Sequence, residues 1–220
     1  MTSWQQLQDE IRQHSPKPDR VQILGACKAQ PVEAVTARIA DGLGVLGVNY
    51  VQEGQALRKA LPNFKGEWHF IGAIQSRKAK DLIGYNCVQS LDRLSVAEEL
   101  NRRLRDENTA MSVLIEVNIG GENTKAGIAP DDLPDFLSRL SQMSYLKIDG
   151  LMGMPPPLHP VEARRPHFKQ LSELFEKYGH GRWRRLSMGT SDDYIIALQE
   201  GATVIRLGTV LFGERPPKTE

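Results

Sequence analysis

Arg185-Leu186-Ser187-Met188-Gly189-Thr190-Ser191-Asp192-Asp193, followed by Val204-Ile205-Arg206-Leu207-Gly208-Thr209, decides the fold. Both pieces are short apolar runs that end in glycine and hydroxyl residues. In a β/α barrel the loops after strands seven and eight form the usual phosphate cradle. Backbone N–H groups freed by glycine, with a following helix N-terminus, grip a dianionic phosphate without a metal.

Upstream of this stretch, strand-like and helix-like segments alternate regularly. Strands are expected at Val21 to Cys27, Val45 to Asn49, Glu67 to Gly72, Asn86 to Leu91, Ser112 to Asn118, Leu146 to Met152, Arg184 to Met188 and Thr203 to Leu207. Most are runs rich in Val, Ile and Leu, as strands covered on both faces require. Helical patterns fill the intervals at Val32 to Asp41, Glu53 to Leu61, Ser76 to Ile83, Ser95 to Glu107, Asp131 to Met143, Pro160 to Tyr178 and Asp192 to Gln199. Pro31, Asp92, Pro130-Asp131 and Ser191-Asp192 supply start signals. The pattern predicts one closed parallel (β/α)8 TIM barrel in a single domain over residues 1–220.

No helix is expected after the eighth strand, because the chain ends soon after it with Gly213-Glu214-Arg215-Pro216-Pro217. Trp4 to His14 has helical periodicity and offers an extra N-terminal helix to cover the vacant place near that strand. Pro155-Pro156-Pro157 cannot be helical and predicts a rigid loop after strand six.

Composition narrows the class. With 220 residues and a net charge of +1, the chain has no global field to attract nucleic acid. Arg182, Arg184 and Arg185 around Trp183 read as a solvated loop. Cys27 and Cys87 lack metal-ligand spacing and argue for a reducing compartment. Met1-Thr2-Ser3-Trp4-Gln5-Gln6 has no signal-type apolar core and no run approaches a membrane span, so the expected location is cytoplasmic.

Barrel chemistry sits at the C-terminal ends of the strands. Strand one offers Lys28 there, strand two Asn49, strand three His69 and Gly72, and strand six Met152 and Met154. Strand seven offers Ser187, Gly189 and Ser191, and strand eight Arg206, Gly208 and Thr209. A lysine amine forms a Schiff base with an aldehyde, and an arginine balances phosphate charge or hydrogen-bonds a ring nitrogen. A phosphate grip facing a lone lysine therefore suggests pyridoxal 5'-phosphate.

Each residue also has a plainer reading. Strand-end lysines are mostly surface charges, but Lys28 shares its rim with the phosphate loops. Arg206 lies inside an apolar run, where an unpaired guanidinium is costly, so a bound anion is the better reading. His69 between Trp68 and Phe70 reads as a core histidine, and Met152 and Met154 suit packing as well as a flat ring. Gly120 to Gly127 reads as a mobile rim loop because of Glu122.

Several motifs carry a resemblance: Cys27-Lys28-Ala29, Val48-Asn49-Tyr50-Val51-Gln52-Glu53, Trp68-His69-Phe70-Ile71-Gly72-Ala73-Ile74-Gln75 and Gly150-Leu151-Met152-Gly153-Met154. Leu186-Ser187-Met188-Gly189-Thr190-Ser191-Asp192 and Arg206-Leu207-Gly208-Thr209-Val210-Leu211-Phe212-Gly213 complete them. From about Val21 to Glu214 the chain closely resembles the pyridoxal-phosphate homeostasis protein family, the YggS or PROSC-like group that includes the cyanobacterial PipY. The resemblance implies a single fold-type III barrel like the N-terminal domain of alanine racemase, with the cofactor as a Schiff base on Lys28. It also implies phosphate contacts at Ser191, Arg206, Gly208 and Thr209. Cys27, Val48, Arg77 and Thr190 depart from the commoner family wording without removing a group that either role needs.

The resemblance implies a part in intracellular vitamin B6 homeostasis and amino- or keto-acid balance, and no robust catalysis is expected. Racemases of this fold place the cofactor between the barrel and a second domain, for which this chain leaves no residues. Partners implied are the cofactor, amino acids and apo-enzymes that receive it, and the expected state is a monomer. An amino-acid racemase is the alternative, with Tyr50 and His69 the candidates for a second proton-transfer group. A Schiff-base aldolase is disfavoured because Lys147 opens strand six, on the stability face.

Overall fold

The computed structural model describes residues 1–122 and 125–214. Eight parallel strands close into a barrel in sequence order: β1 Gln22–Ala26, β2 Val45–Val48, β3 Glu67–Phe70, β4 Cys87–Leu91, β5 Met111–Val117, β6 Leu146–Gly153, β7 Arg185–Ser187 and β8 Val204–Leu207. Pairing of β1 with β8, which sets Leu24 against Arg206, completes the ring.

The outer layer comprises α1 Trp4–His14, α2 Val32–Asp41, α3 Val51–Ala60, α4 Leu94–Asp106, α5 Leu133–Leu140, α6 Arg165–Gly179, α7 Tyr194–Gln199 and α8 Thr209–Phe212. Helical periodicity directs each apolar stripe at the strands; in α4, Val96, Ala97, Leu100 and Leu104 are buried. Burying a Leu or Val side chain of this kind stabilises by about 1.5–3 kcal/mol.

Several helices differ from the sequence expectation. Ser76–Leu82 is 3-10 rather than α. Its fully buried Ala79 and Leu82 are three residues apart, the spacing that a 3-10 turn stacks on one face. The fifth and sixth helices begin later, after 3-10 turns at Pro130–Asp132 and Val161–Arg164. Pro134 and Pro166 lack the N–H that an earlier start would need, but are tolerated in a first turn.

The eighth helix was not expected so near the end of the chain; Thr209-Val210-Leu211-Phe212 makes a single turn despite its β-prone residues. Tertiary contacts hold it: Arg38 Nε donates to Leu211 O at 2.8 Å, and Thr2 N donates to Val210 O at 2.9 Å. The N-terminal helix α1 buries Leu7 and Ile11 and is tied to α7 by Tyr194 Oη donating to Glu10 Oε2 at 2.6 Å. Residues 215–217 of the terminal Gly213 to Pro217 stretch lie outside the described residues.

Most of the core lies between sheet and helices. Inside the barrel are two small apolar groups, Leu24 with Val45 and Val204, and Cys87 with Leu114 and Met152. A column of polar side chains shares that interior. At its lower end Asp149 occupies an irregularity in the β5–β6 register and takes both Arg184 and Arg185, while Arg185 Nη2 also reaches Glu67 Oε2 at 2.7 Å. The run around Trp183 is thus no solvated loop as a whole. Trp183 and Arg185 are buried, because strand alternation turns Arg185 into the barrel, where two carboxylates meet it.

Candidate cofactor site

The C-terminal rim of the barrel encloses a cavity of about 390 Å³. Lys28, Asn49, Met152, Ser191, Arg206, Gly208 and Thr209 all line it. Ser187 does not line it; the residue is fully buried below, where it braces Arg206.

Local backbone geometry places Lys28. Gln30 N bonds to Cys27 O at 3.0 Å, and Ala29 takes a left-handed conformation with φ 55°. That region costs a non-glycine residue roughly 1–2 kcal/mol. Glu53, in the first turn of α3, holds the turn by accepting from Ala29 N at 2.7 Å. The half-buried Lys28 thereby faces the cavity with Nζ 5.3 Å from the Tyr50 ring centroid. Cys27 packs away from it, and burial, reinforced by Glu53, pushes its thiol up to about 12. It is an inert packing residue, not a nucleophile.

Opposite walls come from β7 and β8. Ser191 Oγ accepts from Gly208 N at 3.2 Å and from Val210 N at 3.3 Å, which ties the two loops together. Asp193 shapes the first loop: Oδ1 accepts from Thr190 N at 2.7 Å, and Oδ2 pairs with Arg164 at 2.8 Å in a buried bridge. A Cβ placed on Gly208 would meet nothing closer than Ala26 O at 3.9 Å, so it would project into the cradle. Gly72 is required for another reason, since its Cβ would strike Asn49 O at 2.0 Å, where β2 and β3 converge on the rim.

Arg206 is buried, and among the described residues no carboxylate lies within ion-pair distance. Its partners are Ser187 Oγ at 2.8 Å and Gly153 O at 3.2 Å. Burial lowers its guanidinium to about 10, opposed by Glu116 and Asp193, and the group stays cationic at neutral pH. Ser187 Oγ donates to Gln89 Oε1 at 2.6 Å, and Gln89 Nε2 donates to His69 Nδ1 at 2.8 Å. His69 Nε2 then faces Glu67 Oε2 at 2.7 Å. Burial lowers the His69 pKa, so the neutral ring with its proton on Nε2 completes the chain of donors. His69 is therefore a satisfied core histidine, linked to the cavity through Gln89, Ser187 and Arg206.

Two site residues escaped the sequence reading. Gln89 lies two places after Cys87 on an interior-facing track, and Glu116 lies two places after buried Leu114. Polar residues at that spacing inside apolar strands were the available signal. Glu116 lines the cavity, and burial raises its carboxyl to about 7, with Asp92 adding to the shift against Arg206 and Arg93.

These residues suit pyridoxal phosphate: an amine, hydroxyls beside an open glycine, and a buried cation with no carboxylate partner among the described residues. A barrel built around such a rim is the architecture of the alanine racemase N-terminal domain, whose family model matches residues 4–216. An alanine racemase from Clostridium difficile 630 shares the fold, with a TM-score of 0.75 at 16% identity over 96% of this chain and 56% of its own. PipY of Synechococcus elongatus PCC7942, solved with PLP bound, superimposes with a TM-score of 0.83 at 30% identity, over 94% of this chain and all of that one.

The chain belongs to the pyridoxal phosphate homeostasis protein family. A member from Aquifex aeolicus is 42% identical over 88% of this chain and 86% of its own length. One from Pseudomonas aeruginosa is 38% identical over 90% and 86%.

Proposed function

We propose that this chain, as one barrel domain over residues 1–220, binds pyridoxal 5'-phosphate and serves intracellular vitamin B6 homeostasis rather than catalysis. The observation that carries the reading is the convergence of Lys28, Ser191, Gly208, Thr209 and the carboxylate-free Arg206 on one cavity. Lys28 Nζ would hold the aldehyde carbon covalently, the carbonyl oxygen leaving as water. Ser191, Thr209 and the open space beside Gly208 would hold the phosphate, Met152 and Asn49 would stand beside the ring, and Arg206 would supply positive charge. When bound, the group supplies an electrophilic carbon open to amine exchange. PipY carries the same cofactor in a barrel of the same shape, and the relatives bear the name of its homeostasis.

Cytoplasmic residence and a monomeric state are part of this proposal, as is transfer of the cofactor to apo-enzymes and exchange with amino acids. Among the described residues no helix is long and apolar enough to cross a membrane. The racemase alternative needs a second proton-transfer group at the substrate carbon. His69 is engaged by Glu67 and Gln89, and Tyr50 is 54% exposed at the rim, an arrangement that favours a carrier.

An absorbance spectrum of protein loaded with pyridoxal phosphate tests the reading. A yellow band abolished by borohydride, with turnover of amino acids no faster than by the free cofactor, supports the carrier. A colourless protein after loading, or racemisation at about 1 per second or more, the low end of ordinary enzymes, contradicts it.

A further inference from the structure

A second cavity, of about 430 Å³, adjoins the first. Glu116, Ala126, Met154, Thr190 and Asp192 belong to the walls of both. Its size suits a small organic molecule. Ala126 and Thr190 are small enough to leave the shared wall thin, and Met154, 60% exposed, is a flexible side chain at its edge.

The charges lining this cavity are unbalanced. Glu116, Glu122, Asp192 and Asp193 face Lys125 and Arg164. Asp193 and Arg164 neutralise each other at 2.8 Å, with both side chains buried. Among the described residues lining it, one exposed cation, Lys125, remains against three carboxyl groups. Among the described residues the Glu116 carboxyl has no hydrogen-bond or ion-pair partner, although it stands at the junction of the two cavities. An unpaired, largely buried carboxylate is costly, and a cationic ligand would remove that cost.

We propose that the second cavity is a receiving site for a small primary amine of net positive charge, in the simplest case an aliphatic diamine, with one ammonium held on Glu116. This rests on the reading that Lys28 carries the cofactor in the first cavity, and it names a class of molecule that reaches that cofactor. An ammonium is not nucleophilic until it loses a proton. Its N–H proton passes to the Glu116 carboxylate, leaving a neutral amine and a neutral carboxyl, with nothing oxidised or reduced. A carboxyl raised to about 7 accepts that proton far better than an ordinary glutamate.

The groups around Glu116 set this behaviour. Arg206 faces it from β8, and Asp92 and Arg93 from the end of β4, while Lys28 and Asp192 stand in the cavity walls. Asp92 is held up as well, chiefly by burial, and its Oδ1 is buried without a partner. Positive charge brought to Glu116 therefore relieves two carboxyl groups.

Calorimetric titration with 1,4-diaminobutane, with 1,4-butanediol as the uncharged probe of equal length, tests the site on protein loaded with pyridoxal phosphate and fixed by borohydride. The mass increment is read first, which separates failure of cofactor attachment from failure of amine binding; without it, the same titration on cofactor-free protein decides the amine site. The diamine should bind and the diol should not. Affinity should rise roughly tenfold from pH 6 to pH 8 as Glu116 ionises, and Glu116→Gln should weaken it roughly tenfold or more. If that variant does not fold, the wild-type pH series decides. Absence of diamine binding, equal binding of the diol, or affinity independent of both pH and Glu116 overturns the proposal.

Discussion

The Ser187 hydroxyl accepts the Arg206 Nη1–H at 2.8 Å and so fixes the charge at the floor of the cofactor cavity. Its own proton goes to Gln89 Oε1 at 2.6 Å, and the direction of each bond down to Glu67 follows from that choice. A cation held this way has a defined position before any ligand arrives, which reduces the ordering cost of binding.

Replacing Arg206 by Gln should weaken pyridoxal phosphate binding roughly ten- to hundredfold, since a charge-assisted contact contributes about 1.5–3 kcal/mol. Fluorescence titration of apo-protein measures it. Unchanged affinity would assign the arginine to structure alone.

Gly208→Ala separates the cradle from the fold. The added methyl meets only Ala26 O at 3.9 Å, so the thermal midpoint should stay within a few degrees of wild type. Cofactor affinity should fall at least roughly tenfold because the methyl fills phosphate space. Equal affinity in a stable variant would move the phosphate elsewhere.

The barrel was legible because Val, Ile and Leu runs recur between amphipathic segments, and strand ends such as Lys28 and Arg206 then share a rim. Helix α8 was not, since Thr209-Val210-Leu211-Phe212 is a single turn whose carbonyls are tied down by Arg38 and Thr2 from elsewhere in the chain. Ser187 was read as a rim residue from its place near the end of strand seven, but its buried side chain turns to Gln89 and Arg206 beneath the cavity. Gln89 and Glu116 were signalled only by a polar residue at every-other-place spacing inside an apolar strand, and strand register then decides what each one meets.

Glu116 makes stability depend on pH. Its carboxyl is raised from 4.5 to about 7, so between those values the folded protein binds a proton that the unfolded chain has lost. The contribution is complete below pH 4.5 and is lost as pH rises through about 7. Glu116→Gln keeps the neutral form at every pH. Relative to wild type the variant should gain on the order of 1–2 kcal/mol between pH 5 and pH 8, read from urea midpoints. A difference that does not change with pH would place the carboxyl in a solvated setting.

Asp193→Ala should be among the most destabilising single changes near the site. It leaves Arg164 buried without its partner and frees the Thr190 N–H, for an expected loss of about 3–5 kcal/mol. The Ser191 loop should loosen with it, so cofactor affinity falls in parallel; denaturation and titration of the same sample check both. Full stability would show that the bridge contributes nothing net.

The most direct test of the account is peptide mapping by mass spectrometry after pyridoxal phosphate loading and borohydride reduction. One reduced adduct is expected, on the peptide that contains Lys28, and it should disappear together with the absorbance band in Lys28→Ala. An adduct on a different lysine of the wild-type protein, or a borohydride-reducible band that survives in Lys28→Ala, would contradict it.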